Sequence, residues 1–205
     1  MNRKSFGRPC VAVSAAVLAL FLAACAERIP GDPGKTMAEY VGAVQKGDFA
    51  AMYKLNRVTA RQKKYILKSN TGDINKLLSE NYEANLAKYK SAEPTFYGGV
   101  QWQEKYFFPP SAAVRIGKPQ NLPSGEGDER KENWEKGLKV LVEVSVDYPK
   151  KDEAPEYGGQ KLKSINYACT LSKIRMEGAL MVYSQDPDWF VDGCMANSAS
   201  ALFAE

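Results

Sequence analysis

The chain contains no histidine. That absence removes serine–histidine and cysteine–histidine nucleophile pairs, and every metal site that depends on an imidazole. Cysteine is scarce too, at four in 205 residues. Long apolar runs are missing except for residues 10–24, and about 15 residues fall short of the ~20 that a permanent membrane-crossing helix needs. Charge of one sign is also lacking, with 28 basic residues set against 24 acidic ones. What remains is 44% hydrophobic and 25% charged. That composition suits one ordinary domain with its own core, rather than a disordered chain or a multi-span membrane protein.

The N-terminus is ordered in three parts. Arg3, Lys4 and Arg8 form a basic segment, residues 10–24 the apolar run, and Leu22-Ala23-Ala24-Cys25 a small-residue ending. This order is the layout of a secretory signal. The ending resembles the lipobox of bacterial lipoproteins, in which a cysteine accepts a diacylglyceryl thioether. The resemblance implies cleavage between Ala24 and Cys25, acylation of Cys25, and a membrane partner reached through the acyl chains. Two or three chains satisfy the requirement for stable anchoring. Ala26 is not the aspartate that retains enterobacterial lipoproteins in the inner membrane, so a host with two membranes would place the protein on the outer one, facing the periplasm. The alternative is an ordinary cleaved signal that happens to contain a cysteine.

Processing alters the charge argument. Removing the three basic residues of the signal leaves 25 basic against 24 acidic residues. The basic excess belongs to the signal and gives no support for a nucleic-acid partner. Cysteine usage simplifies in the same way. Cys10 leaves with the signal and Cys25 takes the lipid, so Cys169 and Cys194 are the one pair left for a disulfide in an oxidising compartment. Closing that loop stabilises a fold by ~3.5 kcal/mol on the chain-entropy account. Two buried free thiols are the alternative.

The chain divides into a signal at 1–24, a lipidated cysteine with a Pro/Gly tether at 25–35, and a single domain at 36–205. Thr36 and Glu39 have capping-box spacing ahead of a stripe formed by Met37, Tyr40, Val41 and Val44. Gly47 stops that helix and Asp48 caps the next, which carries Phe49, Met52 and Tyr53. Thr59 and Gln62 repeat the box spacing, and Asp73 opens a longer helix that ends before Pro94. The period then changes. Strands are predicted at 112–116, 138–148, 161–173, 179–183 and 189–194, with Asp186-Pro187-Asp188 as a turn between the last two. Helices followed by strands give an α+β class, with amphipathic helices packed on a curved antiparallel sheet.

Lys46-Gly47-Asp48-Phe49 at the helix junction and Asp188-Trp189-Phe190-Val191 in the last strand resemble the nuclear-transport-factor-like cone fold. Within it they resemble bacterial lipoproteins of unknown function. The resemblance implies a cone-shaped domain but selects no activity, because members include enzymes, binding modules and interaction domains.

Candidate chemistry is sparse. An acid/base enzyme would need an inward carboxylate and a tyrosine, and Glu143, Asp147, Asp192, Tyr40, Tyr53 and Tyr167 are the available groups. No spacing pairs them, so no catalytic residue is assigned, and no metal or cofactor is expected. Residues 96–108 hold Phe96, Tyr97, Trp102, Tyr106, Phe107 and Phe108. These rings either form a recognition surface or cover the open end of the core. Lys63-Lys64 and Lys150-Lys151 read as solvated charge or as contacts to anionic headgroups. The expectation is a membrane-anchored envelope lipoprotein with a non-enzymatic domain that binds an envelope protein or glycan. The alternative is a small-molecule binder, or a histidine-independent acid/base enzyme using the interior of the cone.

Overall fold

Helix α1 (Pro33–Lys46) begins three residues before the predicted start at Thr36. Asp32 caps it by accepting the Lys35 N–H at 2.9 Å, and Pro33 occupies the first turn, where a missing N–H costs nothing. The Thr36 hydroxyl bonds back to the Asp32 carbonyl, so this threonine lies inside the helix instead of capping it. Gly47 ends α1 at φ 64°, a left-handed conformation suited to glycine. Asp48 then caps α2 (Phe49–Leu55) through the Ala51 N–H. Helix α3 (Arg57–Ser69) also starts earlier than its capping-box spacing suggests. Its cap is Asn56, which accepts from the Val58 and Thr59 N–H groups, while the Thr59 hydroxyl bonds to the Asn56 carbonyl. Asp73 caps α4 (Ile74–Ser91) as expected.

The computed structural model describes residues 31–69, 72–94, 101–121, 139–176 and 184–204. After a short helix α5 (Glu104–Phe107) come β1 (Ala113–Ile116), β2 (Lys139–Asp147), β3 (Glu156–Tyr157), β4 (Gln160–Met176) and β5 (Ser184–Phe203). Among the described residues all strand–strand pairings are antiparallel. β2 lies between β1 and β4, β5 pairs with the other side of β4, and β3 forms a short hairpin with the start of β4. The chain is thus a single α+β domain with a five-stranded antiparallel sheet.

Alternation decides which face of the sheet is buried. Val140, Val142, Val144 and Val146 of β2 point into the core with Ile165, Tyr167, Cys169 and Leu171 of β4. Each fully buried valine or leucine contributes roughly 1.5–3 kcal/mol. Helices α1 to α3 cover this face, bringing Met37, Tyr40, Val44, Phe49 and Met52 against it. The Gln45 amide donates to the Ala112 carbonyl at 2.8 Å and fixes α1 to the entrance of β1.

β5 departs from the predicted pattern. The segment at 179–183 lies outside the described residues. Asp186-Pro187-Asp188 is not a turn between two strands but a bulge within one, since Arg175 pairs with Gln185 and Lys173 with Trp189. Proline has no N–H to give a ladder, and a bulge is where a strand tolerates it. β5 also runs past Cys194 to Phe203. A second bulge separates Asn197, opposite Asn166, from Leu202, opposite Ser164. The Ser200 hydroxyl bridges it, accepting the Asn166 N–H and donating to the Asn197 carbonyl.

Cys169 and Cys194 stand opposite each other on β4 and β5, with Cα atoms 4.0 Å apart, and are joined in a disulfide. The bond ties the two longest strands together at the centre of the core. Replacing both cysteines with alanine should lower unfolding stability by about 3.5 kcal/mol, read as a shift in the urea midpoint. An unchanged midpoint would show that the cross-link adds nothing.

Candidate functional site

Residues 101–108 turn from the helical layer into the sheet, and their rings divide between the two. Trp102 takes a φ of 73°, a conformation costly for a side chain this large. It is held there by packing: its ring lies 5.1 Å from Phe49 and 6.3 Å from Tyr89 in edge contacts, and Phe49 also meets Tyr82 and Tyr53. Phe107 stacks on Tyr167 at 4.6 Å and Phe108 meets the same ring edge-on. The Tyr148 hydroxyl donates to the Phe107 carbonyl at 2.9 Å and lies 2.8 Å from the Tyr167 hydroxyl. Burial pushes both phenols above their ordinary range.

The recognition-surface expectation for these rings therefore needs correction. Trp102, Phe107 and Phe108 are core residues, with no face available to a partner. Large flat rings gain most by covering the end of a helix–sheet core, and here that gain decides their place. Tyr106 is half-buried; its hydroxyl bonds to the Ala92 carbonyl, and it borders a groove of about 400 Å³ with Lys105, Pro109 and Lys161. Phe96, Tyr97, Ala24 and Cys25 lie outside the described residues.

Between the two groups of rings lies a polar group that sequence reasoning missed. Glu104 is buried at the start of α5, and its carboxyl is lifted to about 6. Burial is the main cause, opposed by its own backbone N–H, the Cys194 N–H and the Tyr40 hydroxyl. One oxygen, Oε2, has no hydrogen-bond partner among the described residues. The Tyr40 hydroxyl lies beside Glu104 and Asn56 but meets full hydrogen-bond geometry with neither, and burial together with the nearby carboxylate raises it well above an ordinary phenol. Gly193 closes the other side at φ 152°, and a Cβ there would sit 3.6 Å from Glu104 Oε1. A carboxyl and a phenol in apolar surroundings could exchange a proton. Neither pocket described for the molecule is lined by them, and a lone glutamate between aromatic residues gives no local pattern that announces its burial.

The other carboxylates considered for acid/base chemistry are not brought together. Glu143 is on the outer face of the sheet, accepting from the Asn166 amide, and Asp147 pairs with Arg115 at 2.9 Å. Asp192 meets Arg57 at 3.3 Å and accepts from the Ser172 hydroxyl. Its carboxyl is raised by burial, with Arg57 opposing the shift. The Tyr53 hydroxyl donates to Asn81 at 2.6 Å. Among the described residues no cluster of cysteines and carboxylates is arranged to hold a metal ion.

Two measurements follow from this geometry. Trp102→Ala should destabilise the fold by about 3–5 kcal/mol, read in chemical denaturation; a loss well below that would return the ring to the surface. For Glu104, the ordinary value is 4.5 and the folded value about 6. In that window the folded chain keeps a proton that the unfolded chain has released. Stability should therefore be highest below the window, fall by about 2 kcal/mol as pH rises through it, and level off above. Glu104→Gln should flatten most of that slope, leaving the smaller contribution of the same sign from Asp192. A slope equal to that of the parent would show that Glu104 is not the titrating group.

In comparisons with known proteins, no family, no curated protein and no solved structure matches the chain, so its own geometry is what bears on function.

Proposed function

We propose that this chain is a lipid-anchored protein of the bacterial cell envelope, acylated at Cys25. Its nuclear-transport-factor-like domain binds an envelope protein or glycan, without an enzymatic reaction of its own. The anchoring rests on the basic, apolar and Leu22-Ala23-Ala24-Cys25 segments. The binding reading is supported by one observation: the interior is filled by side chains while, among the described residues, no helix lies over the outer face of the sheet. Two rows run across that face, Glu143–Ala168–Met195 and Ser145–Asn166–Asn197. Five of these six side chains are small or polar, and Met195 is 62% exposed among them. Such a surface admits close approach of a second backbone or a sugar ring.

A second reading, a small-molecule binder or a histidine-independent acid/base enzyme, is favoured by the Glu104–Tyr40 pair alone. It requires the packed interior to open, whereas the outer face is already accessible.

Intact-mass analysis of protein extracted from native membranes should show a Cys25 N-terminus carrying acyl chains; an unmodified cysteine would refute the anchoring. A photo-crosslinker at Met195 in the full chain should capture an envelope component, and Ala168→Arg should weaken that capture about tenfold. Capture unaffected by the arginine would exclude this face.

A further inference from the structure

Helix α3 has an unusual surface. Its thirteen residues include Arg57, Arg61, Lys63, Lys64 and Lys68 and no acidic residue. Arg57 is engaged with Asp192, and Lys64 lies close enough to Asp188 to feel its charge. Arg61, Lys63 and Lys68 have no ion-pair partner among the described residues. The inner side of the helix is occupied by Thr59, buried, and by Gln62, which accepts from Asn81 and Asn85.

The apolar residues on the exposed part of α3 are equally informative. Val58 is 42% exposed, Tyr65 66% and Leu67 49%. Val58, Arg61, Tyr65 and Lys68 follow one another at helical spacing, so apolar and cationic side chains alternate along one outward stripe. Beside it lies an open groove of about 460 Å³ between α3 and α4, with Val58, Tyr65 and Ile66 as apolar walls and Arg57 and Arg61 at its edge. A cationic helix that also exposes an aliphatic and an aromatic side chain is matched by the headgroup–acyl boundary of an anionic bilayer. That boundary offers negative charge and shallow hydrocarbon together. A purely solvated cationic face would gain nothing from exposing Val58 and Tyr65.

We infer that α3 docks the domain onto anionic phospholipid, with Arg61 and Lys68 reaching the phosphates and Val58 and Tyr65, on the same stripe, entering the interface. The inference deepens the anchoring reading, on which it rests for proximity to a membrane. Cys25 and the α1 cap at Asp32 are joined by so few residues that, even extended, the link spans only about 26 Å. That is short enough to keep the domain at the surface and long enough to let its own charge choose the orientation.

The test uses the full-chain protein on vesicles of phosphatidylcholine, with or without about one-third phosphatidylglycerol. Lysine reactivity toward an amine-acylating reagent is read by mass spectrometry. Lys68 should become about fivefold less reactive on the anionic vesicles, while Lys150 and Lys76 stay unchanged. The protection should vanish near 1 M salt, where charges are screened beyond about 3 Å. In the Arg61→Glu variant, Lys68 should lose its protection. Protein retained on both vesicle types with equal reactivity at α3 would overturn the docking and leave the anchor intact. Protein that leaves neutral vesicles but is protected on anionic ones would sustain the docking and remove the anchor. Protection seen only in native membranes, and never on pure lipid, would assign α3 to a protein partner and overturn the lipid assignment.

Discussion

The two layers of this fold are joined by the aromatic turn at residues 101–108. Trp102 gives its ring to the helical side, against Phe49 and Tyr89, and Phe107 and Phe108 give theirs to Tyr167 of the sheet. A tryptophan in a left-handed conformation persists only where surrounding contacts outweigh the local cost. Here both ends of the turn are fixed as well. Lys105 donates to the Tyr89 carbonyl and rests over the Tyr89 and Tyr106 rings, while Tyr148 holds the Phe107 carbonyl. Glu104 is enclosed because it lies in the middle of this clamp. The carboxyl is better understood as a cost of the geometry, relieved by protonation, than as a group presented for use.

The legible parts of the fold were those where one local signal had no rival. Gly47 followed by Asp48 has a single reading, a helix stop and a helix start, and the structure has both. The valines of β2 alternate without interruption, and their burial follows. The pair Cys169 and Cys194, expected from cysteine counting, is bonded. Competing signals produced the displaced boundaries. Asp32-Pro33-Gly34 has the composition of a tether and the chemistry of a helix start, and Thr59 with Gln62 imitates a capping box one turn inside a helix already capped by Asn56. The end of β5 was not legible, because Asn197, Ser198, Ala199 and Ser200 offer no apolar contrast and their place is set by β4. Aromatic clustering marked residues 96–108 as important. It did not separate surface from core, since the same rings serve either, and the carboxyl among them became visible only in three dimensions.

Charge is arranged to suit a body with distinct sides. The basic residues of α3 lie on the helical layer, while the uncovered sheet face is nearly neutral, with Glu143 bonded to Asn166 and Asp147 to Arg115. Steering by one surface and contact by another need not compete when basic and acidic residues are as nearly balanced as 28 and 24.

β5 also bears on self-association. A twenty-residue strand whose described pairing is confined to β4 leaves a long row of backbone groups that another copy of the chain could template upon. The row is broken repeatedly: by the bulge around Pro187 near the start, by a parallel bridge from Asn56 at Val191, by a register shift beside Gly193, and by the Ser200 bulge near the end. The breaks shorten the stretches open to intermolecular zippering. Irregularity that weakens the ladder thus acts as a safeguard against polymerisation.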